Sequence, residues 1–119
     1  MKLAADVLVA LVALLHCWFL VLEMFLWTKP TGLRTFGQTA AQAEASKVLA
    51  ANQGLYNGFL AAGLFWGLSL GAAGTSVKLF FLGCVIVAGV YGAATVGRKI
   101  LFVQALPAAL AMALVLATS

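Results

Sequence analysis

The sequence predicts an all-α membrane protein, a four-transmembrane-helix antiparallel bundle in a single domain. Three observations carry this. The chain of 119 residues is 65% hydrophobic and only 8% charged, with a mean hydropathy of +1.12. Water-soluble domains carry about 25% charged residues. Apolar runs fall at 3–27, 49–70, 77–96 and 100–118, each close to the ~20 residues a helix needs to cross the hydrocarbon core. Alternation of apolar and polar residues is absent, which argues against a barrel.

The first span, 3–27, is too long for a cleaved signal and carries Glu23 near its end. No small-x-small site follows its apolar core, and His16 before Cys17 does not suit a lipoprotein cleavage. Cys17 and Cys84 lie within spans as small packing residues, with no disulfide framework or metal spacing around them. Lys29-Pro30-Thr31-Gly32 is a turn signal that stops the first helix. It opens the one long connection, 28–48, expected on the cytoplasmic side. Thr39 to Ala51 is rich in helix formers, so the second helix either starts before the membrane or follows a short surface helix that breaks near Asn52 to Gly54. The remaining connections, 71–76 and 97–99, are short and force antiparallel neighbours. Pro107 removes a backbone donor inside the fourth helix and kinks it.

Gly63, Gly67 and Gly71 recur every fourth residue, as do Gly54 and Gly58 on another face. Small residues at this spacing let helices approach closely in lipid. The seams suit neighbouring helices of the chain, or a homodimer through Gly63, Gly67 and Gly71 or through Gly54 and Gly58. Orientation follows the basic residues. Lys29, Arg34, Lys47, Arg98 and Lys99 fall on one side, against Lys2 and Lys78 on the other. The loops after the first and third helices are therefore expected in the cytoplasm, with both termini outside. The net charge of +4 is dispersed, so no nucleic-acid partner is expected; the bilayer itself is.

The polar residues inside the spans carry the chemistry. His16 and Glu23 share one face of the first helix, about 10 Å apart along its axis, and Trp27 continues the stripe at the interface. Asn52, Gln53, Tyr56 and Asn57 fill an arc of roughly 140° at the start of the second. Tyr91 of the third helix and Gln104 of the fourth fall at a similar depth. On this topology Glu23, Gln53, Tyr56, Asn57, Tyr91 and Gln104 converge on one level, with His16 a layer deeper. Ionisable groups in spans face the interior and pair. Glu23 and His16 are the candidate acid–base pair, and Asn52, Gln53, Tyr56, Asn57, Tyr91 and Gln104 the candidate ligand-binding residues. The plainer alternatives are interhelical hydrogen-bond glue for the amides and Tyr91, snorkelling for Glu23 and a core role for His16. Asp6, beside Lys2, reads as a solvated terminal residue. With His16 the only histidine, no metal site is expected, and no cofactor motif appears.

The stretches H16-C-W-F-L-V-L-E23-M-F-L-W27, F36-G37, N52-Q53-G54-L-Y56-N57-G58-F59-L60-A61-A62-G63-L64, A88-G89-V90-Y91-G92 and Q104-A-L-P107 resemble a family of small bacterial membrane proteins, domain of unknown function 1304. The resemblance covers nearly the whole chain. It implies a four-helix integral membrane protein whose motif residues are these polar ones, and it implies no reaction. Three functions stay open. One is a cytoplasm-facing pocket that binds or converts a small amphipathic or lipophilic ligand. Another is a proton-coupled transporter acting as a dimer through Glu23, although the outer half is almost wholly apolar. The last is a structural accessory protein.

Overall fold

Pro30 starts a short second helix after the first has ended. The computed structural model describes residues 1–119 and is built of helices. α1 runs Lys2–Met24, α2 Pro30–Phe36, α3 Ala40–Ser69, α4 Thr75–Thr95 and α5 Leu106–Thr118. A 3₁₀ turn, Gly71–Gly74, precedes α4, and a π-turn, Leu101–Ala105, precedes α5. α1 stops at Met24 rather than Trp27. The N–H of Leu26 reaches back to the Val21 carbonyl at 3.1 Å, a widened final turn. Lys29 is extended, as a residue before proline must be. Pro30 then starts α2 at a position where its missing N–H costs nothing. The loop expected at 28–48 therefore contains this short helix and the first turns of α3.

α2 closes on Gly37 at φ 61°, the left-handed conformation that suits glycine. The N–H of Gln38 bonds the Leu33 carbonyl at 3.0 Å, and that of Gly37 the Arg34 carbonyl, a Schellman ending. α3 then opens on a reciprocal cap. The Thr39 hydroxyl accepts from the N–H of Gln42 at 3.1 Å, and the Gln42 side chain accepts from the N–H of Thr39 at 3.0 Å. From there α3 is one unbroken helix of 30 residues through Asn52 to Gly54, about 45 Å long.

Three helical stretches are long and apolar enough to cross a membrane: Lys2–Met24, Gly71–Thr95 and Leu101–Thr118. α3 has ample length. Asn52, Gln53, Asn57 and its glycines dilute its apolar character, so it does not join the other three on hydropathy.

The chain forms two compact units, Met1–Ala13 with Leu60–Ser119, and Leu14–Phe59. The first has a core shared by four helices: Val9 and Val12 of α1, Leu64 of α3, Leu82 and Val85 of α4, Ala108 and Ala111 of α5. Small residues set the spacing there. A Cβ on Gly89 of α4 would lie 2.8 Å from the backbone nitrogen of Ala105. Pro107 acts one turn earlier than a simple kink would: the N–H of Leu106 bonds the carbonyl of Leu101, five residues back. Widening to a π-turn is a recognised way to relieve a proline in a helix. In the second unit the Trp27 indole N–H bonds the Ser46 hydroxyl at 3.1 Å, and its ring packs on Phe36 at 4.7 Å. Trp27, expected as an interface anchor, thus ties the end of α1 to α2 and α3.

Candidate functional site: the α1–α3 seam

The unit Leu14–Phe59 brings together the last turns of α1 and the middle of α3. Leu20, Glu23 and Met24 stand on one face of α1, at spacings of three and four. Gly54, Asn57 and Gly58 repeat that spacing on α3. Residues so spaced are neighbours on a helix surface. A Cβ on Gly54 would sit 2.7 Å from Met24 Cγ, 3.1 Å from Glu23 Cβ and 3.2 Å from the Leu20 carbonyl. One on Gly58 would sit 2.7 Å from Leu20 Cδ1. The glycines therefore bring the helices close enough for a short side chain to bridge them. Asn57 does so: its Nδ2 donates to Glu23 Oε1.

Both partners are half-buried. The pair has capacity left over, since a carboxylate accepts at two oxygens and an asparagine offers a second N–H and a carbonyl. His16, two helical turns before Glu23, is completely buried, with its ring edge-on to Phe19 at 5.1 Å. Along a helix that separation is about 10 Å between backbones.

The polar arc of α3 divides at Asn57. Asn52, Gln53 and Tyr56 are exposed, and Tyr56 keeps its ring 6.2 Å from Phe59. Only the edge of the arc, Asn57, engages α1. Tyr91 and Gln104 belong to the other unit. There Tyr91 is exposed at the end of an apolar groove along α4, and Gln104 is half-buried in the π-turn. No three His, Cys, Asp or Glu side chains gather in one place.

Some polar contacts were not anticipated from the sequence. Asp6, read as a solvated terminal residue and still partly exposed, is also the ion-pair partner of the buried Lys78 at 3.2 Å. The Thr39–Gln42 cap was legible, because Thr-x-x-Gln is its sequence signature. The Asp6–Lys78 pair was not, since 72 residues separate its members.

Comparison with known proteins agrees with the motif pattern. The sequence model of the family described as protein of unknown function (DUF1304) matches residues 10–116. The chain belongs to this family. A curated relative, the uncharacterized protein YpaA of Lactococcus lactis subsp. lactis (strain IL1403), is 32% identical over 106 residues, covering 87% of this chain and 89% of the relative. No solved structure matches. Glu23 and Asn57 both lie inside the stretch matched to the family.

Proposed function

We propose that this DUF1304 protein crosses the bacterial cytoplasmic membrane four times and binds a small amphipathic or lipophilic molecule at the α1–α3 seam. Glu23, held by Asn57, would be the polar anchor for that molecule. The hydrogen bond from Asn57 to Glu23 between two glycines is the observation that carries this reading. A carboxylate in an apolar span needs a partner. Asn57 supplies one and still leaves acceptor sites on the carboxylate. The exposed arc of Asn52, Gln53 and Tyr56 offers further donors and acceptors alongside.

The membrane setting rests on surface chemistry. Many large apolar residues are exposed, among them Leu3, Leu11, Phe80, Val87 and Phe102, and a soluble monomer does not present so much apolar surface. An up-and-down course of four spans is supported by one end of the first unit. There Lys2, Thr75 and Thr118 line a single cavity, so the start of α1, the start of α4 and the end of α5 lie together.

Native mass spectrometry from mild detergent tests the binding reading on wild type and Glu23→Gln. The expected result is a discrete non-lipid adduct on wild type that is lost in the variant. A protein free of adducts in both forms would overturn the reading. A dimer without adduct would shift the weight to a dimeric transporter.

A further inference from the structure

A second polar site stands at the start of α1, within the unit Met1–Ala13 with Leu60–Ser119. A cavity of about 190 Å³ opens between Lys2 and Asp6 of α1, Thr75 and Lys78 of α4, and Thr118 and Ser119 at the end of α5. Its volume corresponds to about six waters at ~30 Å³ each, enough for a phosphate with a short attached alcohol.

Lys78 is the unusual member. Its side chain is only 5% exposed, yet it is a charged residue on an otherwise apolar helix. Gly67 of α3 makes room for its stem: a Cβ there would lie 2.7 Å from Lys78 Cγ. Nζ donates to Asp6 Oδ1 at 3.2 Å, and the Asp6 side chain is itself 38% exposed. An ammonium carries three N–H donors, and Asp6 accepts one. A buried cation needs fuller compensation than one contact to a half-hydrated carboxylate. Lys2 adds a second ammonium to the lining. The hydroxyls of Thr75 and Ser119 bond carbonyls of their own turns at 3.3 Å, long for O–H···O, and can turn toward an occupant.

We propose that this cavity binds a phosphate-bearing anion through Lys78 and Lys2, with Asp6 orienting the Lys78 ammonium. The same chemistry is offered by the headgroup of an anionic phospholipid and by free phosphate. The site is independent of the Glu23 reading; its lipid form requires only that the helices span a membrane.

The test uses the full chain in mild detergent, with dioleoylphosphatidylglycerol and dioleoylphosphatidylcholine supplied at equal concentration and bound lipid counted by native mass spectrometry. Wild type is expected to retain phosphatidylglycerol preferentially. Lys78→Gln and Lys2→Gln are each expected to lower that preference roughly fivefold, and Arg34→Gln, which does not line this cavity, to leave it unchanged. Inorganic phosphate is then titrated by thermal shift on the same proteins. Stabilisation by phosphate that needs both lysines, without lipid preference, would assign the site to a free anion. Absence of both effects, or an equal loss in Arg34→Gln, would overturn the proposal. Lys2 is exposed, so Lys2→Gln decides the matter even where Lys78→Gln does not fold; an unchanged preference in it also overturns the proposal.

Discussion

Replacing Asn57 by Leu removes the amide that donates to Glu23 and leaves a carboxylate facing an apolar side chain. Interhelical hydrogen bonds in membranes are worth ~0.6–2 kcal/mol, so Asn57→Leu should lower unfolding stability in detergent by that amount. Glu23→Gln keeps an acceptor for Asn57 and should cost less than ~0.5 kcal/mol on the same scale. Denaturation of the two variants side by side checks the contrast; equal losses would mean that Asn57 acts only by its shape. Much at this scale was legible in the sequence. Glu23 and the arc from Asn52 to Asn57 stand out because polar residues are rare in apolar runs. Which member of the arc meets Glu23 was not legible from polarity alone. It is fixed by Gly54 and Gly58, which flank Asn57 at the spacing that faces Leu20 and Met24. The arc of about 140° is wider than the seam one neighbouring helix can cover, so Asn52, Gln53 and Tyr56 stay exposed. The complete burial of His16 depends on packing that no local pattern encodes.

Among the elements, the seam between α1 and α3 gives the sharpest prediction. Gly54→Val would press a branched side chain onto Glu23 Cβ and the Leu20 carbonyl, groups that cannot swing away. Overpacking of this kind costs ~1–3 kcal/mol. Gly58→Ala meets only the flexible tip of Leu20 and should be nearly neutral. Thermal unfolding of both variants measures the difference, and equal sensitivity would place the close approach elsewhere. A separate prediction concerns the start of α3. Thr39→Ala removes the hydroxyl that caps Gln42 and should cost ~1 kcal/mol, read as faster hydrogen exchange in the first turns of α3. Helix positions followed from apolar runs and breakers, with two instructive departures. α1 ends at Met24 with a widened final turn, and Pro30 starts a separate helix. The turn before Pro107 widens to π, because a missing N–H can be accommodated one turn upstream of the proline. Neither adjustment has a composition signal.

For the whole molecule, the proposed four-span course and the asymmetry of Lys and Arg make a topological prediction. In a background lacking Cys17 and Cys84, Arg34→Cys should react with a membrane-impermeant maleimide only from the cytoplasmic side, and Ser76→Cys only from outside. The reverse pattern would invert the orientation. The all-helical class was legible from composition because apolar runs of this length admit few other structures in lipid. Part of what dilutes the apolar character of α3 lies at the seam: Asn57 bonds Glu23, and Gly54 lies against it. The central claim, that Glu23 is a polar anchor inside the membrane and reached from it, is tested most directly by carbodiimide labelling. The chain in native membranes is treated with dicyclohexylcarbodiimide, which partitions into lipid, or with a water-soluble carbodiimide, and the modified carboxyls are located by peptide mass spectrometry. The account predicts that the lipid-soluble reagent modifies Glu23 and the water-soluble one modifies the exposed Glu44 but spares Glu23. Modification of Glu23 by the water-soluble reagent, as readily as Glu44, would place the carboxylate in water and contradict a membrane-embedded site.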